Sequence, residues 1–246
     1  MKVKNWRLFL ALGLILLSAI LYLTHFLIFG DAHHIFIYLL GDIAFTPIEV
    51  LIVTLIIHRV LSDREKKAML SKLNMVIGAF FSEVGLNLVY VCAKFDQNSD
   101  LIKDKLSDIK DWSHRDYIAA VKDMDSHQFL INSQMSNLEE LREFLNKKHG
   151  FLLRLLENPN LLEHERFTEL LWAVFHLSEE LRYRTDLKQL PEKDYEHISG
   201  DILRVYTLLV KGWLDYMRHL KDSYPYLFSL AARINPFNKD ASPIVN

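Results

Sequence analysis

The chain has 246 residues, with 29 Lys and Arg against 31 Asp and Glu and a formal net charge of −2. Such a balance carries no broad positive field and excludes nucleic-acid binding on charge. Eight glycines and six prolines are too few for a turn-rich all-β chain, and the single cysteine, Cys92, excludes an intrachain disulfide.

From Leu8 to Phe29 the chain reads LFLALGLILLSAILYLTHFLIF, without an acid, lysine or arginine. About 20 apolar helical residues cross a bilayer core of roughly 30 Å, so this stretch predicts a span. A second, from Ile35 to His58, is nearly as apolar but carries Asp42 and Glu49. The basic start (Lys2, Lys4, Arg7) would suit a signal peptide. The apolar run, however, is about twice a usual signal core, and no small-residue cleavage site closes it, so an uncleaved anchor is expected. Bases lie before the first span and after the second (Arg59, Arg64, Lys66, Lys67), while the loop Gly30–His34 has none. The positive-inside rule then puts both termini in the cytoplasm. All but three of the bases and all but three of the acids follow residue 58, which predicts a soluble, mixed-charge remainder.

Residues 62–95 read as one long helix, charged at first and almost wholly apolar from Leu73. Leu73, Ile77, Phe80, Val84, Leu88 and Val91 make a bulky stripe; Ser71, Gly78, Ser82 and Gly85 make a stripe of small residues, suited to close helix contact. Length would allow a third span over 73–95, but Glu83 and Asn87 favour a core helix. A short helix is expected over 100–110, DLIKDKLSDIK. Ser113 and Asp116 then form a capping-box pattern, with Trp112 placed to staple onto Tyr117. Val121, Met124, Ile131, Met135, Leu138 and Leu145 extend that helix to about Lys148, or past Gly150 until Asn158-Pro159 stops it. A third bundle helix is expected over 161–185, with Phe167, Leu170, Leu171, Val174 and Leu181 inward. A fourth begins at Pro191 with the seam Ile198, Ile202, Val205, Leu209, Trp213, Tyr216 and Leu220. Tyr224-Pro225 breaks it before a short apolar segment and a tail. Trp172, Tyr183, Trp213 and Tyr216 fall at helical spacing and are expected in the core. The fold class is therefore all-α: a two-helix transmembrane hairpin (1–61), an antiparallel helical bundle (62–237) and a tail (238–246).

The stretches NMVIGAFFSEVG (Asn74–Gly85) and YPYLFSLAARINPF (Tyr224–Phe237) resemble those of a family of uncharacterised bacterial membrane proteins with a two-span start and a helical C-terminal domain. The resemblance implies an inner-membrane protein and brings no activity, cofactor or catalytic residue with it.

Chemistry-bearing patterns are sparse. Asp42 and Glu49 lie two turns apart on one stripe of the second span, with Thr46 between them; Pro47 frees the carbonyl of Ile43. Mid-bilayer acids cost at least about 2.5–3.5 kcal/mol by insertion scales, which makes Asp42, Thr46 and Glu49 a candidate intramembrane polar site. His25, His33, His34 and His58 flank the spans as interfacial polar residues. Asp194-x-x-His197 has a di-iron spacing but occurs once, near a helix start. His176 has Glu179 and Glu180 beside it, and Asp123 has His127 four residues on. None of these completes a bundle metal set, so no metal or cofactor is expected. Cys92, in an apolar run, reads as a small hydrophobe rather than a nucleophile.

These readings predict a non-enzymatic, membrane-anchored helical protein acting as scaffold, sensor or assembly factor. Lipid and a second copy or another membrane protein would be its partners. The alternative is an oligomeric channel or transporter whose path is lined by Asp42 and Glu49.

Overall fold

A computed structural model of the chain describes residues 5–159, 161 and 164–245. Regular structure among them is helical, apart from one isolated antiparallel bridge. Lys2 and Lys4 lie outside the described residues, as do the last residue of the tail and the side chains of Arg7, Lys67 and Ser71. The chain divides into two units between Lys66 and Lys67.

The first unit holds α1 (Asn5–Phe29) and the opening of α2 (Ala32–Phe80). The link is two residues long. Gly30 takes φ +64°, a conformation costly for any side chain with a Cβ, and its N–H donates to the Phe26 carbonyl at 2.8 Å. Asp31 then starts α2: its Oδ1 accepts from the N–H groups of His33 and His34 at 2.9 and 3.3 Å. The most apolar windows of both helices are 0% buried. Pro47 sits inside α2 without ending it, and α2 runs on where two separate helices, 35–58 and 62–95, were expected.

The apolar run 73–95 belongs to the core of the second unit. A five-residue π turn, Phe81–Gly85, joins α2 to α3 (Leu86–Ala93). At this wide turn the neighbouring Phe80 and Phe81 are both fully buried, edge to face at 5.3 Å. A Cβ on Gly85 would stand 2.5 Å from Phe81 Cδ1, so only glycine fits beneath that ring.

α4 (Ser99–Leu106) precedes α5 (His114–Ser126). The capping box at α5 forms as expected, with Ser113 accepting from Asp116 N–H and the Asp116 carboxylate accepting from Ser113 N–H, and Trp112 packs on Tyr117 at 5.3 Å. The helix stops at Ser126, which corrects the expected run to Lys148. Gln97 N–H donates to the Leu130 carbonyl at 3.0 Å and Asn132 N–H to that of Phe95 at 2.9 Å, closing the bridge between Asp96 and Ile131. Local side chains compete with the helix here. Asn132 accepts from Gln134 N–H, Asn137 caps α6 (Leu138–Leu156) through Glu139 N–H, and Ser133 N–H donates to Ser199 Oγ. α6 passes through Gly150 and ends before Asn158.

α7 (Glu165–Tyr183), α8 (Glu192–Ser223) and α9 (Pro225–Arg233) complete the bundle. α8 is the hub and touches α3, α5, α7 and α9, while α6 packs on α7. Its seam is buried as expected except Tyr216, half-buried and stacked on Phe81 at 5.1 Å. Trp213 is in the core. Trp172 (57% exposed) and Tyr183 (80% exposed) are not, because both lie on the outer face of α7. Beyond α9, fully buried Asn235 donates from Nδ2 to the carbonyls of Leu106 and Ser107 at 2.7 and 3.1 Å, and its Oδ1 accepts from Phe237 N–H. Asn235 thereby caps the C-terminal end of α4.

Candidate functional site

α7 and α8 form an antiparallel hairpin whose facing turns meet in register: His176 with Asp201, Glu180 with His197, Arg184 with Asp194. On each helix a histidine precedes a carboxylate by four residues, the spacing that puts both on one face. Nε2 of His176 and of His197 stand 3.5 and 3.4 Å from Asp201 Oδ2. Glu180 faces both rings, at 3.8 Å from His176 and 3.5 Å from His197. One donor atom each from His176, His197 and Asp201 lies within 4.8 Å of the others.

Two arginines hold the acids from outside. Arg184 clamps both Asp194 oxygens at 2.8 and 2.6 Å and reaches Glu180 Oε2 at 2.7 Å. This guanidinium keeps both carboxyls below the usual carboxylate range. Arg204 donates to Asp201 Oδ1 at 3.0 Å. Asp201 is only 4% exposed, and its Oδ2 receives no hydrogen bond. The two imidazoles are about half exposed, so the cluster opens to solvent through them.

The other sequence-flagged residues are not gathered in this way. Asp42, Thr46 and Glu49 are exposed on α2, where the Thr46 hydroxyl donates to the Asp42 carbonyl at 2.8 Å. In the small-residue stripe, a Cβ on Gly78 would stand 3.6 Å from the Tyr216 ring, Ser82 is exposed and Gly85 is buried under Phe80 and Phe81. These three do not share one surface, and the Ser71 side chain is outside the described residues. Glu83 pairs with Lys148 at 2.9 Å, and Asp123 with Lys105 at 2.7 Å rather than with His127. Cys92 is fully buried, and burial pushes its thiol up, away from the reactive thiolate. Asp201 is the residue that the sequence reading did not name; the signal for it is the four-residue interval His197/Asp201, which repeats His176/Glu180.

A cleft of about 620 Å³ lies elsewhere on the bundle, with a floor of Phe81, Leu170, Gly212 and Tyr216. Ion pairs Arg166–Asp215 and His114–Asp222 stand among its lining residues. Among the described residues its lining groups no three histidine or carboxylate donors closely enough to share one ion.

Residues 69–233 match the family described as "Uncharacterized protein MJ1433, C-terminal helical domain", and residues 2–61 match "MJ1433, N-terminal helical domain". Uncharacterized protein MJ1433 of Methanocaldococcus jannaschii is 48% identical over 238 residues, covering 97% of this chain and 96% of its own length. No solved structure matches the chain. The relative is archaeal, so the expected bacterial affiliation finds no support. By these matches the chain belongs to the MJ1433 family.

Proposed function

We propose that the protein is a non-enzymatic, membrane-anchored helical module. In this reading α1 and the apolar opening of α2 cross the cytoplasmic membrane, and the bundle works on the inner side through contacts with other proteins or a second copy. The observation that carries the reading is that two long apolar stretches have no buried residue in their most apolar windows. Leu8–Phe29 has a mean hydropathy of 2.3, and the most apolar window of the second helix reaches 2.0, yet neither window holds a buried residue. Apolar surface on this scale is far larger than the few hundred Å² a soluble monomer leaves bare. Lipid is the solvent that suits it, and the lysines and arginines flanking the stretches favour the inner side for both ends.

Extraction of membranes with alkaline carbonate tests the anchoring. The full chain is expected to stay in the pellet, and release to the supernatant would refute it.

The exposed carboxylates of Asp42 and Glu49 on α2 favour a second reading, an oligomeric ion path. Cation flux into liposomes holding the purified protein, lost in Asp42→Asn and Glu49→Gln, would support that reading. Flux at the level of empty liposomes would remove it.

A further inference from the structure

We propose that His176, Glu180, His197 and Asp201 form a binding site for one divalent first-row transition-metal ion, with zinc as its probe. Two imidazole nitrogens and two carboxylates are the donor chemistry such ions prefer; calcium and magnesium favour all-oxygen sets.

The spacing fits. Bonds of 2.0–2.1 Å in a tetrahedron set neighbouring donors about 3.3 Å apart. The His–Asp201 separations are 3.5 and 3.4 Å, His197–Glu180 is 3.5 Å and His176–Glu180 is 3.8 Å, with the donors of His176, His197 and Asp201 all within 4.8 Å of one another. Direct charged hydrogen bonds between these groups would draw in to roughly 2.7–2.9 Å. The wider separations leave room for a small cation among the donors.

Burial points the same way. Asp201 Oδ2 is removed from solvent and accepts no hydrogen bond, while its sister oxygen is held by Arg204. A buried carboxylate oxygen that accepts no hydrogen bond is costly, and a cation between it and the two imidazoles removes that cost. Three acids (Glu180, Asp194, Asp201) face two guanidiniums (Arg184, Arg204), which leaves one negative charge for an ion to offset. Arg184 and Arg204 act as the outer partners that fix ligand orientation in metal sites. The half-exposed imidazoles provide the way in.

The site is independent of the membrane reading, since all its residues belong to the second unit. Its test is titration of untagged, chelator-stripped full-length protein in detergent with Zn²⁺, and separately with Co²⁺. The expected result is one ion per chain, a rise in melting temperature with zinc, and the visible absorption of a low-symmetry cobalt site. His176→Ala and His197→Ala should each weaken zinc binding by more than the about 10–100-fold that losing an outer partner costs. Both variants change half-exposed side chains, and their far-UV circular dichroism should match wild type. Asp201→Asn should also lose binding. Absence of stoichiometric zinc, or zinc binding unchanged in the His176→Ala/His197→Ala double variant, would overturn the proposal.

Discussion

The two units use the same apolar side chains to opposite ends. In the first, Leu8, Leu16, Leu21, Ile48 and Leu55 are half or more exposed; in the second, Leu73, Leu88, Leu145 and Leu209 are sealed from solvent. Composition does not separate these cases, but pattern does. α1 is apolar on all sides, whereas α8 carries one apolar seam against a charged face. A helix apolar all round needs an apolar medium, and a one-sided helix needs only a neighbour. Hence the bundle supplies its own interior, while the first unit depends on what surrounds it.

The widest separation between the units is expected from paired truncations. Phe80→Ala should destabilise the bundle by about 3–5 kcal/mol, as for buried aromatics generally. Leu16→Ala, on the exposed face of α1, should change bundle unfolding by less than about 0.5 kcal/mol. Denaturant unfolding in detergent, followed by far-UV circular dichroism, checks both, and equal losses would break the contrast. A smaller effect, about 1–3 kcal/mol, is expected for Asn235→Ala, which leaves the Leu106 and Ser107 carbonyls without their donor. Ser113→Ala removes the α5 cap and should cost about 1 kcal/mol in the same assay.

The smallest expected effect is one of pH. Burial holds the His219 imidazole below its ordinary value, with Arg218 acting the same way and Asp222 opposing; Asn74 stands 3.4 Å from its Nδ1. A lowered folded value means that the unfolded chain binds the proton first. Its contribution is therefore full above the unfolded value of about 6.5 and is lost as pH falls through the lowered folded value. The melting temperature should drop less between pH 7.5 and 5.5 in His219→Gln than in wild type.

Much of this architecture was legible where one local rule dominated. The α8 seam, the Ser113 capping box and the Asn158-Pro159 stop each follow from spacing or a single residue's chemistry. Helix α5 was overrun because Ile131, Met135 and Leu138 mimic a continuing stripe. The Ser and Asn residues between 126 and 137 carried the contrary signal and won. The π turn was invisible because it changes the phase of burial without changing composition. Trp172 and Tyr183 were expected inside because they fall at helical spacing, but that spacing does not say which face is inward, and both lie opposite the α7 seam. The histidine–carboxylate cluster required the register between α7 and α8, which no single helix contains. His176 and His197 were noticed separately, and only the pairing of facing turns brings Asp201 between them.

The proposed partition between a lipid-solvated first unit and a water-solvated bundle is tested most directly by single-cysteine labelling in intact cells. Buried Cys92 contributes little background. With a membrane-impermeant maleimide, His34→Cys should label from outside, and Asn98→Cys should label only after lysis. Labelling of Asn98→Cys in intact cells, or of neither site before lysis and both after it, would contradict the account.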